Sequence, residues 1–255
     1  MKIIVTVKIV PEKIVLDKET GKVMREGIKS IFNPLDLLAC EEGIKLKEQY
    51  GGELVALSMA PPQEKVLLNE LFKYGFDRVI LLTDRAFAGS DTWATAFILS
   101  EAIKKIIPDF DIILQGDYSL DGATGQLGGE LAAFLNIPFI TQAVSIKLDA
   151  SLYVERITDE TIQKYKVNLP ALVSVRRNIN NGIVTNLFAL ERMDEKSVEI
   201  YTNKELGLLG EKIGNKGSKT NVLNVFQEEA EQVNTLIKEN GATAIVDFLK
   251  KVGVV

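Results

Sequence analysis

A chain of 255 residues with one cysteine and no histidine excludes an internal disulfide, Cys-cluster or His-ligated metal sites, His-dependent triads and imidazole acid–base catalysis. The formal net charge of −5 leaves no basic footprint for nucleic acid. An apolar content of 46% suits a globular protein with a sizeable core, so any chemistry is expected to belong to a bound cofactor.

No run of 18 apolar residues suggests a membrane span, and Met1–Val7 reads as a first strand rather than a signal peptide. A soluble, cytoplasmic protein without membrane insertion is expected. Ile3–Val7 is the first of four short, nearly continuous apolar runs, followed by Glu53–Ser58, Arg78–Leu82 and Phe110–Leu114. Such runs fit a parallel sheet covered on both faces. Lys13–Leu16 and Lys22–Met24 flank Asp17–Gly21 as a hairpin would.

Between the runs lie helical periods. Leu37, Cys40 and Ile44 follow Asn33-Pro34-Leu35-Asp36, where Asn33 reads as a cap and Pro34 as a first-turn residue. That leaves Asp36 free to face a ligand and makes Cys40 a buried hydrophobe. Leu67, Leu71 and Tyr74 end at Gly75. Ala96, Leu99, Ile103 and Ile106 follow Ser90 as a potential cap, with Trp93 expected in the core. Leu127, Leu131 and Phe134 precede Asn136 and Pro138, which close that helix. Further strands are expected at Phe139–Lys147, Leu152–Arg156, Lys164–Asn168 and Ala171–Val175, while Arg176 and Arg177 read as surface or interface charges.

The pattern predicts an α/β fold, a doubly wound, mostly parallel sheet of Rossmann-like (adenine nucleotide α-hydrolase-like) type with a C-terminal arm. Residues 1–175 are expected to form the α/β domain, with the strand edge reaching about 190. Residues 176–255 are expected to form an extended arm with helices at 221–236 and 243–252, which either wraps a partner or hangs as a flexible tail.

Two loops at strand carboxyl ends carry the functional signal. Gln115–Gly129 reads QGDYSLDGATGQLGG, which fits either an ordinary strand-to-helix turn or an anion pocket built from free N–H groups and a helix N-terminus. Gly122 and Gly125 permit close approach, Thr124 offers a hydroxyl and Asp121 an acceptor for a ribose. The second loop, Ala88–Thr95, gathers Gly89, Ser90, Asp91, Thr92 and Thr95, more polar groups than a cap requires. Lys8, at the end of the first strand, fits either a phosphate contact or a solvated charge.

Taken in chain order, the segments resemble the small (β) subunit of electron transfer flavoproteins. The resemblance rests on Val7-Lys8-x-Val10-Pro11, Asn33-Pro34-x-Asp36-x-x-Ala39-x-Glu41 and Gly51-Gly52-Glu53. It continues in Gly75-Phe76-Asp77-Arg78, Asp121-Gly122-x-Thr124-Gly125-Gln126-x-Gly128 and Gly217-Ser218-x-Thr220. It implies a nucleotide pocket lined by Thr6, Lys8, Asn33, Asp36, Met59 and Asp121–Leu127 (Asp121, Gly122, Ala123, Thr124, Gly125, Gln126, Leu127). The arm would wrap an α subunit that carries its own FAD. The β pocket holds AMP in one branch of the family and FAD in the electron-bifurcating branch, which takes hydride from NADH. Leu82–Thr95 is more similar to the bifurcating branch, which adds Gly89, Ser90, Asp91, Thr92 and Thr95 to the cofactor site. The implied partners are an acyl-CoA dehydrogenase or similar flavoenzyme, and ferredoxin or flavodoxin. Ile183 is the expected docking side chain for the dehydrogenase. No residue is expected to be catalytic by itself, and no metal is expected. A nucleotide-binding module without redox activity is the rival reading. The sequence departs from the family pattern at Ala123, at Gly129 and at Arg177-Asn178-Ile179-Asn180.

Overall fold

A computed structural model describes residues 1–13, 15–16, 23–24, 27–159, 161–191, 193–221, 240–251 and 253. In chain order its strands are β1 (Lys2–Thr6), β2 (Ile9–Pro11), β3 (Val15–Leu16), β4 (Val23–Met24), β5 (Ser30–Phe32), β6 (Glu53–Met59), β7 (Arg78–Leu82), β8 (Ile112–Gly116), β9 (Phe139–Leu148), β10 (Leu152–Ile157), β11 (Ile162–Val167), β12 (Ala171–Val175) and β13 (Glu199–Tyr201). The helices are α1 (Pro34–Tyr50), α2 (Lys65–Asn69), α3 (Thr92–Ile106), α4 (Leu127–Leu135), α5 (Leu187–Glu191), α6 (Asn203–Leu206), α7 (Gly214–Gly217) and α8 (Gly241–Lys251).

Nine of these strands form one sheet in the order β11-β10-β9-β12-β8-β1-β6-β7-β13. Every neighbouring pair is parallel except the two that involve β10. Ile3, Ile4 and Val5 of β1 are all fully buried, because a central strand with helices on both sides has no solvent face. Each such side chain contributes roughly 1.5–3 kcal/mol over its exposed state. Ala39, Cys40 and Leu46 of α1 pack on the face of Ile3, Val5 and Ala56. Ile98, Leu99 and Ile103 of α3, with Leu131 of α4, cover the face of Ile4, Leu57 and Ile113. This is the doubly wound α/β fold expected from the period.

From β1 the chain winds outward through β6 and β7, then returns to the other flank of β1 at β8. The carboxyl ends of β1 and β8 therefore feed loops that diverge, which leaves a crevice at the switch point.

Several local expectations change. Asp91, not Ser90, caps α3, accepting from the Ala94 N–H at 2.9 Å. Trp93 is 39% exposed and packs edge-on against Phe134 rather than entering the core. Strand β13 joins the sheet beside β7, where the fading periodicity after Arg176 predicts no strand. Three residues are too few to show alternation, and their anchor is the paired contact of Arg78 Nε and Nη2 with Glu199 at 2.7 and 2.8 Å. Gly75 and Asn136 do end their helices in left-handed conformation. The hairpin is present as the β3–β4 pairing. Its turn at 17–21 and the expected helix at 221–236 (beyond Asn221) lie outside the described residues. Among those residues, no helix is long and apolar enough to cross a membrane.

Candidate functional site

The crevice is built by side chains that join the ends of the two adjacent strands β1 and β8. Asp36, in the first turn of α1, is buried. Its Oδ2 accepts from the Lys8 N–H just past β1 at 2.8 Å, and its Oδ1 from the Gly116 N–H at the end of β8 at 3.0 Å. Both oxygens thus hold backbone, which corrects the expectation that Asp36 is free for a ligand. Burial pushes its pKa up to about 6, against the opposing pull of these donors. A Cβ on Gly116 would stand 2.5 Å from Asp36 Oδ1, so only glycine admits this approach.

Asn33 sits at the cap position of α1 but makes no side-chain cap hydrogen bond. Its Nδ2 donates to the Tyr118 carbonyl at 3.0 Å and its Oδ1 accepts from the Leu120 N–H at 3.3 Å. Two residues of the α1 start therefore fix the loop after β8 from below.

Above them, Lys8 Nζ pairs with Asp121 Oδ1 at 2.6 Å and reaches Ser119 Oγ at 3.2 Å. Burial raises the Asp121 carboxyl, but Lys8, the Ser119 hydroxyl and the Gly122 N–H together hold the group below the usual carboxylate value. Residues 121–126 are exposed. Ala123, at φ +50°, donates its N–H to the Ser119 carbonyl at 2.8 Å, and Gly125 has φ +63°. Among the described residues, none accepts from the N–H of Thr124, Gly125 or Gln126, and Leu127 begins α4 immediately after them. Three free donors and a nine-residue helix N-terminus thus share one edge of the crevice. Thr6 lies buried at the end of β1, and Met59 half-buried at the end of β6.

Two buried acceptors one residue inside this carboxyl edge lack partners among the described residues, Ser58 Oγ on β6 and Gln115 Oε1 on β8.

The second loop is used differently from its sequence expectation. Asp91 Oδ2 accepts from the N–H groups of Lys219 and Thr220 at 2.7 and 2.8 Å and from Thr220 Oγ1 at 3.0 Å. Ser218 Oγ accepts from the Asp91 N–H and touches the Gly89 carbonyl, while Ser90 Oγ accepts from the Gly214 N–H. A Cβ on Gly89 would stand 1.9 Å from Asn215 Oδ1. Burial raises the Asp91 carboxyl, but the N–H groups of Ala94, Thr220 and Lys219 together hold it below its ordinary value. Gly89, Ser90 and Asp91 therefore clasp the root of the C-terminal segment. Thr92 and Thr95 remain on the α3 start, with Thr92 Oγ1 at 3.2 Å from Glu130 Oε1 of α4.

Residues 20–205 match the family model described as the electron transfer flavoprotein domain. The chain is 34% identical to an electron transfer flavoprotein subunit beta of Thermoanaerobacterium thermosaccharolyticum, over 98% of this chain and 97% of that one. The chain belongs to the electron transfer flavoprotein β-subunit family. It is also 34% identical to the caffeyl-CoA reductase–Etf complex subunit CarD of Acetobacterium woodii, over 90% of this chain and 89% of the relative. A protein FixA of Azorhizobium caulinodans shows 34% identity over 98% and 92% of the two chains.

Beyond the crevice, Ile183 of this β-family chain packs partly buried against the core. Its neighbours Val184, Leu187 and Phe188 project instead, the last two at 74% and 82% exposure. Sequence reasoning gave no individual role to Gln115, Asp117 and Ser119 within the Gln115–Gly129 stretch and passed over Gln142 and Ser174, all at or near the carboxyl edge. The available signal was polar residues at the ends of buried apolar strands, as in Ile113-Leu114-Gln115 and Leu172-Val173-Ser174.

Proposed function

We propose that this chain is the β subunit of a heterodimeric electron transfer flavoprotein of the NADH-oxidising, electron-bifurcating kind, and that the β1–β8 crevice holds FAD. The observation that carries the reading is the row of unpaired N–H groups at Thr124, Gly125 and Gln126, just before α4 in the loop whose Asp121 pairs with Lys8. Backbone donors at a helix N-terminus match a pyrophosphate, with Lys8 as its countercharge. Asp121 is an acceptor for a ribose hydroxyl, while Thr6, Met59 and Leu127 line the walls. Asn33 and Asp36 hold the frame, and Ala123 and Gly122 shape the turn. Thr92 and Thr95 extend the site toward α3, with Gly89, Ser90 and Asp91 supporting that loop from behind.

The chemistry that FAD supplies when bound is two-electron acceptance from NADH and one-electron donation along two routes. One route leads to the α-subunit FAD and onward to an acyl-CoA dehydrogenase-like flavoenzyme, and the other to ferredoxin or flavodoxin. The resemblance of Leu82–Thr95 to the bifurcating branch supports this assignment, and the relative from a CoA-reductase complex supports a partner acting on CoA thioesters. The α subunit would be gripped by the C-terminal segment, whose helix α8 exposes Ile245, Val246 and Phe248. Leu187 and Phe188 offer the dehydrogenase an apolar contact that half-buried Ile183 does not. The expected location is the cytoplasm.

The test is to purify the chain with its α subunit, count FAD per heterodimer and titrate NADH. Two FAD and bleaching by NADH support the reading. One FAD with bound AMP and no bleaching would overturn it in favour of a structural nucleotide.

A further inference from the structure

Strand β9 contains a residue that its backbone should avoid. Gln142 has φ +56° in the middle of a ten-residue strand, the left-handed region that side chains disfavour. The register explains how it is accommodated. Val173 of β12 faces Ile140 and Val175 faces Ala143, so Thr141 and Gln142 together stand opposite Ser174. This is a bulge, and bulges re-aim side chains.

The bulge points the Gln142 amide at Asp117. Gln142 Nε2 donates to Asp117 Oδ2 at 3.1 Å, while the Gln142 N–H donates to Ser174 Oγ at 3.1 Å. The buried Ser174 hydroxyl donates in turn to Asp117 Oδ1 at 3.3 Å. Both carboxylate oxygens of Asp117 are thereby held by neighbouring strands. Asp117 is the first residue after β8, at the base of the 117–126 loop. A Cβ on Gly125 would stand 3.5 Å from the Asp117 carbonyl oxygen, so the far end of the loop comes back close to its base.

We infer that Gln142 and Asp117, joined through Ser174, form a positioning device that sets the Asp117–Gln126 loop against the crevice. For nucleotide retention the inference rests on the crevice being the nucleotide site proposed above. The backbone strain at Gln142 is retained because relaxing the bulge would withdraw the amide from Asp117. The loop is largely exposed, and besides its contacts with Asn33 and Lys8 its orientation depends on how its base is held. The two side chains are therefore expected to act as one unit.

The experiment uses the full chain purified with its α subunit, comparing wild type with Gln142→Asn, Asp117→Ala and the double variant. Asn tolerates the left-handed region but is one methylene too short to reach Asp117. Two readouts are taken: amide hydrogen exchange in residues 118–123, and retention of FAD and of AMP after dialysis. Each single variant should exchange several-fold faster in 118–123, keep the wild-type melting temperature within a few degrees, and lose nucleotide at least fivefold more readily. The double variant should be no worse than the worse single one. Wild-type exchange and retention in both single variants would overturn the inference, as would strictly additive losses. If wild type retains neither FAD nor AMP, the nucleotide reading falls, and exchange in 118–123 still decides the positioning role.

Discussion

Lys8 and Asp121 are 113 residues apart in the chain, yet Nζ and Oδ1 meet at 2.6 Å across the mouth between β1 and β8. The Lys8 side chain is 45% exposed, so solvent screening limits the pair's contribution to stability to roughly 0.5 kcal/mol. Its position matters more for a ligand, because the cation and the acceptor stand beside the free N–H groups of Thr124–Gln126. Asp121→Ala should weaken nucleotide retention more than tenfold, about 1.4 kcal/mol or more, with little change in melting temperature. Gly125→Val should weaken retention likewise, with some loss of melting temperature, since φ +63° strains a β-branched residue. Calorimetric titration with FAD and with AMP measures both. Full affinity in either variant would remove this loop from the site.

Asp36 gives the protein a pH dependence of a stated sign. Its ordinary value is 3.8, and burial raises it to about 6 in the folded state. Between these values the folded chain holds a proton that the unfolded chain has released, so stability falls as pH rises through this window and levels off above it. The full effect is roughly 2–3 kcal/mol. Asp36→Asn cannot titrate and leaves one of the Lys8 and Gly116 N–H groups facing an amide donor. Chemical denaturation of wild type and variant from pH 4 to 7 should show their difference shifting by that amount. A flat difference would mean the carboxyl titrates normally.

Asp91 does two jobs with one carboxylate, capping α3 through Oδ1 and holding Lys219 and Thr220 through Oδ2. Asp91→Ala should cost about 1–2 kcal/mol, the range for a lost cap with further lost hydrogen bonds. It should also expose Lys216 and Lys219 to trypsin, because the root of the C-terminal segment loses its fastening. Asp91→Asn retains one acceptor and should fall between the two. Equal cleavage rates in all three proteins would show that the clasp is held elsewhere.

The sheet was legible because its signal is local. Ile3-Ile4-Val5 has no polar alternation, so it reads as a strand buried on both faces, and the structure buries it so. Asn136 followed by Pro138 stops α4 wherever that helix lies. The site was less legible because its bonds are long-range. Ser90 and Asp91 are adjacent capping residues, and choosing between them requires knowing that residues 214–220 arrive to occupy both. Asp36 reads as a free carboxylate until β1 and β8 are placed side by side. Trp93 has the spacing of a core residue, but its exposure is decided by how α4 sets Phe134 beside it. Gln142 carries no sequence signal for its left-handed backbone, since only the register of β9 on β12 creates it.

The contrast between Ile183 and Phe188 separates a packed side chain from a projecting one. Ile183 packs against the core, while Phe188 projects from the five-residue α5 with most of its ring in water. Removing an exposed ring costs the fold little, usually within 0.5 kcal/mol, whereas a half-buried isoleucine contributes about 1–2 kcal/mol. Phe188→Ser should therefore keep the wild-type melting temperature and lower the rate of electron transfer to the partner flavoenzyme severalfold through a raised apparent KM. Ile183→Ser should lower the melting temperature and leave KM unchanged. Stopped-flow reduction of the partner at varied concentration distinguishes them. The reverse pattern would return the docking role to Ile183 and leave the exposed Leu187–Phe188 edge without one.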